Sequence, residues 1–265
     1  MHSVLLTTQL IGQLQKRGID LIVVNQRHAK HSFALFADQQ LQVERRCLQY
    51  AWQVNAVDRL PFAQQLCEHK FNVLERILRD YKGTELARQQ IKSTVLRVPG
   101  CIDDQQLMGY EGSLQRLAFH HWRQLLPKAL GFTTRQRRPP PDPVNAALSL
   151  TYTLVHHDAV RQAKKHALDP QLGFYHRTAF GRQSLACDIM EPVRPKVEAW
   201  CAHLFIDGQL DKRHFSVANG SCTLGKAGRE IFYAAYDEQA KDWQRQLDAA
   251  ATWVARRLDR ARARA

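Results

Sequence analysis

Three short stretches carry side chains whose types and spacing could do chemistry together. Glu111 sits in the run Gly109, Tyr110, Glu111, Gly112, a carboxylate beside an apolar helical stripe, with a glycine after it that leaves room for close approach. His176 closes the helix-breaking run Gly173, Phe174, Tyr175, His176. Asp188 and Glu191, in the run Asp188, Ile189, Met190, Glu191, Pro192, stand three residues apart, a spacing that puts two carboxylates on one face of a helix. A glutamate, a histidine and a second carboxylate from separate elements can hold one divalent cation. Oxygen donors favour magnesium or manganese, and the imidazole tilts the choice toward manganese. Such an ion stabilises charge developing on a phosphoryl group and orients a hydroxyl nucleophile, so the chemistry would be phosphodiester cleavage or transesterification.

The same residues admit a plainer reading. Buried carboxylates are often simply paired, and Arg116, Arg123, Arg182 and Arg194 are available to Glu111. Asp188 and Glu191 can equally pair with Arg182, Arg194 or Lys196, and His176 can be a hydrogen-bonded structural imidazole. Residue types and spacing leave both readings open.

The elements that must position these groups are mostly helical. Leu5, Leu10, Ile11 and Leu14 recur at helical spacing before Gly18, and two β-branched or aromatic runs, at 19–25 and 32–37, follow as candidate strands joined through 26–30. One helix and one hairpin are too little for an independent sheet, so residues 1–38 read as an incomplete β-containing domain that leans on the rest. Residues 39–265 read as a large all-helical domain. Pro61 marks a helix start whose stripe is Phe62, Leu66, Phe71, Leu74, Ile77 and Leu78, with Gly83 as its stop. Asp103 or Asp104 caps the next helix, which carries Leu107, Tyr110, Leu114, Leu117 and Leu125. The run RQRRPPPDP at 135–143 cannot be helical and forms a stiff basic loop. Helices are expected at 144–167, continuously over 184–204, and from 227 to a basic end containing Arg256, Arg257, Arg260, Arg262 and Arg264. Residues 207–225 read as loop with at most a strand near Phe215.

Composition narrows the partner. Lysine and arginine outnumber aspartate and glutamate by 38 to 25, a net +13 that points to a polyanion. Nucleic acid fits better than membrane: no apolar stretch approaches the length of a membrane span, and residues 3–14 lack the basic start and unbroken apolar run of a signal peptide. A cytoplasmic protein is expected. The six cysteines contain no C-x-x-C pair, so they read as reduced, mostly buried thiols rather than a zinc cluster or disulfide framework.

Four phrases then occur in order: LMGYEGSLQR at 107–116, RRPPPDPVNAALSLTYTL at 137–154, ALDPQLGFYH at 167–176 and GRQSLACDIMEPVRP at 181–195. Together they resemble the CRISPR-associated integrase family, the larger protein of the adaptation pair, and a looser similarity runs through residues 4–80. The resemblance implies a small amino-terminal β-domain that dimerises and a helical domain with a metal site. It assigns the metal and catalytic role to Glu111, His176 and Glu191, and a supporting acidic position to Asp188. Arg194 matches a basic position near the site; Asn145 and Ser149 match the polar residues after the proline loop. Arg135, Arg137, Arg138 and Arg182 are candidate DNA contacts. The implied reaction is attack by the 3′ hydroxyl of a captured DNA fragment on a phosphodiester at the edge of a CRISPR repeat, with Mg2+ or Mn2+ as cofactor. The implied partners are double-stranded DNA, a second copy of the chain, a small ferredoxin-like adaptation protein and, in some relatives, a reverse transcriptase. Family members usually begin with further strands before the segment matching Val4, so the β-domain is expected to be shortened. Two other readings stand beside this one: a non-catalytic DNA-binding scaffold, and a general metal-dependent repair nuclease.

Overall fold

The computed structural model describes residues 5–24, 32–35 and 43–262. The expected connection at 26–30, the domain boundary at 38, the outer ends of both candidate strands and Arg264 lie outside the described residues.

The amino-terminal unit begins with α1 (Thr8–Lys16), capped by the Thr7 hydroxyl, which accepts from the Leu10 amide at 3.2 Å. Strands β1 (Leu21–Val23) and β2 (Phe33–Leu35) pair antiparallel, with Ile22 opposite Ala34. No residue of α1 is buried, and Leu5 is fully exposed.

The mainly helical class holds, and its helices surround two apolar cores. The order is α2 (Val43–Val54), α3 (Ala56–Leu78), α4 (Glu85–Arg97), α5 (Asp104–Leu125), α6 (Pro143–Lys165), α7 (Ser184–Met190), α8 (Arg194–Ile206), β3 (Phe215–Ala218), β4 (Ser221–Leu224) and α9 (Lys226–Arg262). Helix α6 buries Val144, Ala147, Leu148, Val155, Ala159 and Val160 against α7, α8 and α9, forming the larger core with Trp243, Leu247 and Phe232. Helices α3, α4 and α5 close the second core with Leu66, Phe71, Leu78, Ile91, Leu107 and Leu114. Among the described residues no helix is long and apolar enough to cross a membrane.

Three local expectations are corrected. Helix α3 starts at Ala56 rather than Pro61, because the Asn55 side chain caps it by accepting from the Val57 amide at 3.1 Å. Pro61 is carried inside, where the buried face of Phe62, Ala63 and Leu66 outweighs its missing amide donor. The expected continuous helix over 184–204 is instead two. Pro192 and Pro195 have no N–H to continue the ladder, so α7 stops at Met190 and α8 starts anew at Arg194. Within the nominally all-helical region stands the β3–β4 hairpin, with Val217 opposite Cys222. Its turn is Asn219-Gly220, both at positive φ, the dipeptide best suited to a two-residue hairpin loop. That signal was present in the sequence and outranks the loop reading.

The basic proline loop is tied down at its end. Asp142, 7% exposed, caps α6 by accepting from the Asn145 amide at 2.9 Å, and its other oxygen accepts from Asn145 Nδ2 at 2.6 Å. Asp142→Ala removes both bonds and is expected to lower unfolding free energy by about 1–2 kcal/mol in a urea titration. A change below about 0.5 kcal/mol would show that the cap contributes nothing.

Candidate metal and nucleic-acid site

The seam between the two cores brings the chemistry-bearing residues together. Phe174 and Tyr175 are neighbours in sequence but enter different cores: Phe174 packs on Phe62 with ring centroids 4.5 Å apart, whereas Tyr175 joins the α3–α5 core. His176 is thereby held at the seam. Gly173 permits the approach, since a Cβ there would stand 2.6 Å from the His176 carbonyl oxygen and 2.8 Å from the Ser184 backbone. Upstream, the buried Gln49 amide fixes the incoming chain by donating to the Asp169 and Leu172 carbonyls and accepting from the Asp169 amide.

Asp188 turns to this segment. Its carboxylate accepts from the amides of Phe174, Tyr175 and His176 at 2.6, 3.0 and 2.9 Å, and from His176 Nδ1 at 2.7 Å. An ionised carboxylate has no proton to give, so Nδ1 carries the hydrogen, and in the neutral imidazole Nε2 then presents a lone pair. The imidazole lies at the end of an open cleft, and its Nε2 is 3.7 Å from Glu191 Oε1. The structure thus separates the two acidic residues that spacing had grouped: Asp188 orients, and Glu191, beyond the last residue of α7, faces the site.

Glu111 on α5 and Glu191 share one cation, Lys70 of α3. The ammonium donates to Glu111 Oε1 and to Glu191 Oε2, both at 2.6 Å. Arg194 donates to Glu191 Oε1 at 2.6 Å and lies over the Tyr152 ring. Beyond it Glu198 accepts from Gln115 Nε2 and Tyr152 Oη. Burial alone would raise the pKa of Glu191, but Arg194 and Lys70 outweigh it and hold the carboxyl well below the usual carboxylate range. Burial likewise works against the charge on Lys70, and attraction to Glu191 reverses the effect, so the ammonium persists. Of the pairings that spacing left open, Glu191 takes Arg194, while Glu111 takes Lys70, which was not foreseen. Lys70 lay on the apolar stripe of α3, four residues from Leu66 and Leu74; a lysine on such a face was the signal.

A cleft of about 530 Å³ opens from Glu111, His176 and Arg194 and is lined further by Arg116, Arg123 and Arg137. The other candidate contacts are placed differently. Arg135 also borders the cleft, but its guanidinium donates to Asn145 Oδ1 and Ser149 Oγ, so these three brace the proline loop against α6. Arg182 holds its own loop through the Arg177 carbonyl and Ser184 Oγ. Arg138 is exposed outside the cleft lining.

Residues 1–238 match the family described as CRISPR associated protein Cas1. The chain belongs to the Cas1 family. Among its relatives is a CRISPR-associated endonuclease Cas1 of Thermodesulfovibrio yellowstonii, 42% identical over 134 residues, half of this chain and 42% of that protein. Two solved structures share the fold: a casposase bound to integration product (TM-score 0.80, 17% identity, 95% of this chain and 76% of that one) and a Cas6-RT-Cas1–Cas2 complex (TM-score 0.82, 21% identity, 96% and 30%).

In this Cas1 chain the donor set can be tested for fit to a divalent cation. Among the described residues no three His, Cys, Asp or Glu side chains are placed so that they could together hold a metal ion. The chemistry nonetheless suits one. Two carboxylates lie within hydrogen-bond reach of a single cation, and the nearby imidazole is fixed by a carboxylate through Nδ1 with Nε2 presented, the usual arrangement of a metal-binding histidine. Around them four carboxylates, Glu111, Asp188, Glu191 and Glu198, meet two paired cations, Lys70 and Arg194.

The role given to Asp188 has a measurable consequence. Asp188→Ala strands three amides of a buried segment and is expected to cost about 3 kcal/mol or more in guanidinium unfolding, well above the cost of His176→Ala. Equal losses in the two variants would show that Asp188 serves only the imidazole.

Proposed function

We propose that this chain is a metal-dependent DNA integrase and endonuclease of CRISPR spacer acquisition, joining a DNA 3′ hydroxyl to a phosphodiester of the repeat. The observation that carries the reading is that Glu111 and His176 line an arginine-rich cleft, with the buried Glu191 joined to Glu111 through Lys70 and 3.7 Å from His176 Nε2. Family membership and the shared fold with a casposase bound to integration product support it.

Glu111, His176 and Glu191 would hold Mg2+ or Mn2+. Such an ion supplies Lewis-acid stabilisation of the phosphoryl oxygens. The chain's own residues do the remainder. Asp188 keeps the His176 lone pair on Nε2, and Arg194 fixes the Glu191 carboxylate by donating to one of its oxygens. Arg116, Arg123 and Arg137 neutralise phosphates along the cleft and set the register of the bound strand. In the reaction the incoming 3′ oxygen bonds to phosphorus, the repeat strand's own 3′ oxygen leaves, and the number of phosphodiester bonds is unchanged. The proposed assembly is a homodimer working in the cytoplasm with a small ferredoxin-like adaptation protein and, where one is encoded, a reverse transcriptase. The neighbouring fold in a Cas6-RT-Cas1–Cas2 complex supports these partners.

With labelled duplex fragments, a repeat-bearing plasmid, the adaptation partner and manganese, strand-transfer product is expected and should fall by on the order of a hundredfold or more in Glu111→Ala. Undiminished product from that variant sinks the assignment. Cleavage of branched DNA without preference for the repeat would favour a general repair nuclease. Replacing Arg116 and Arg123 by alanine should weaken DNA binding and reduce the slope of log affinity against log salt by about 0.9 per lost phosphate contact. An unaltered slope would place the DNA elsewhere.

A second reading, a metal-free DNA-binding scaffold, draws on the position of Lys70, which already bridges both carboxylates. It predicts salt-sensitive DNA binding and no manganese heat in calorimetry.

A further inference from the structure

Lys70 is a charged group at the site for which the proposed chemistry has no use. It does not reach the centre as the mobile tip of a surface side chain. It rises from the buried stripe of α3, between Cys67 and Phe71, and is itself 4% exposed. Two of its three N–H donors go to Glu111 and Glu191 at 2.6 Å each, distances typical of short charge-assisted bonds. Arg194 takes the other oxygen of Glu191, and among the described residues it is the ammonium that links the α5 carboxylate to the α7–α8 junction.

Two like-charged carboxylates this close repel strongly in a poorly hydrated seam unless a cation lies between them. A divalent ion held by Glu111 and Glu191 must occupy the same region, and two cations cannot share it. Resting on the metal reading given above, we propose that Lys70 is a built-in counter-ion that occupies the Glu111–Glu191 pair without metal and must withdraw for a divalent cation to bind. It holds the two carboxylates in register while the site is empty of metal, and it lowers metal affinity by competition. Lys70 is in this sense a positioning residue whose effect is opposite in sign to that of a ligand: removing it tightens metal binding.

The test uses the full chain with Lys70→Met, close in shape and uncharged, and Lys70→Gln. Manganese binding is followed by titration calorimetry, and melting temperature with and without manganese. Both variants are expected to bind manganese at least tenfold more tightly than the unaltered chain. They should melt lower without metal and gain more on adding it, because a charge left without its partner is then neutralised. If both variants fold only with manganese present, the counter-ion role is supported; if neither folds with or without it, Lys70 is an irreplaceable structural residue and the inference is overturned. Manganese binding by the unaltered chain with equal or weaker binding by folded variants overturns the Lys70 role and leaves the metal reading standing. No binding by any of the three overturns both.

Discussion

The site depends first on one buried carboxylate. Asp188 is 1% exposed and, among the described residues, has no lysine or arginine partner; its charge is stabilised by three backbone amides and an imidazole N–H. Consecutive amides converging on one anion act as a small concave dipole array, each bond worth roughly 1.5–3 kcal/mol because the acceptor is ionised. The geometry is self-consistent. For the amides to converge, the backbone must curl tightly, which requires Gly173; for the curl to stay put, Phe174 and Tyr175 must each be gripped by a different core. The imidazole position is therefore a consequence of packing on both sides of the seam.

A second constraint is electrostatic and runs across the same seam. Lys70, Glu111, Glu191, Arg194, Glu198 and Tyr152 form a chain of contacts joining α3, α5, α6 and α8. Burial works against the charges of Lys70, Glu191 and Arg194, and each persists because an opposite charge sits within hydrogen-bond distance. A similar but more exposed group closes the outer part of the seam, where Asp104 meets Arg59 at 2.7 Å and Arg177 at 2.9 Å. The cleft arginines differ from these: Arg116, Arg123 and Arg137 form no salt bridge with a carboxylate among the described residues, which leaves their charge directed at what enters the cleft.

Much of this was legible in the sequence, and the parts that were not share a cause. The helical stripes of α3 and α5, the Asp103 cap and the proline break at 135–143 follow from local patterns, and local physics decides them. The three ligand candidates stood out because a carboxylate or an imidazole interrupted an apolar pattern. The split of Asp188 from Glu191 could not be read from spacing, since it depends on where α7 ends and on the amides of a segment twelve residues earlier. The Asn219-Gly220 hairpin was legible and was overridden by the helical surroundings. Lys70 is the instructive case. Its position on the stripe of Leu66 and Leu74 showed that its charge would be buried, but its partners come from α5 and from the α7–α8 junction, 41 and 121 residues away.

That same network argues that the seam is built for something other than stability. Replacing a buried ion-pair cluster by apolar side chains of similar volume is often neutral or stabilising, because desolvation of the charges cancels much of their attraction. Two well-packed cores lie on either side and could meet through leucine and phenylalanine as readily as through lysine and glutamate. Instead the junction holds four carboxylates and two paired cations, and it opens at one end to a basic cleft. A purely structural lock would balance its charges and seal itself from solvent. This one sets four carboxylates against two paired cations, beside an arginine-lined cleft that is open to solvent.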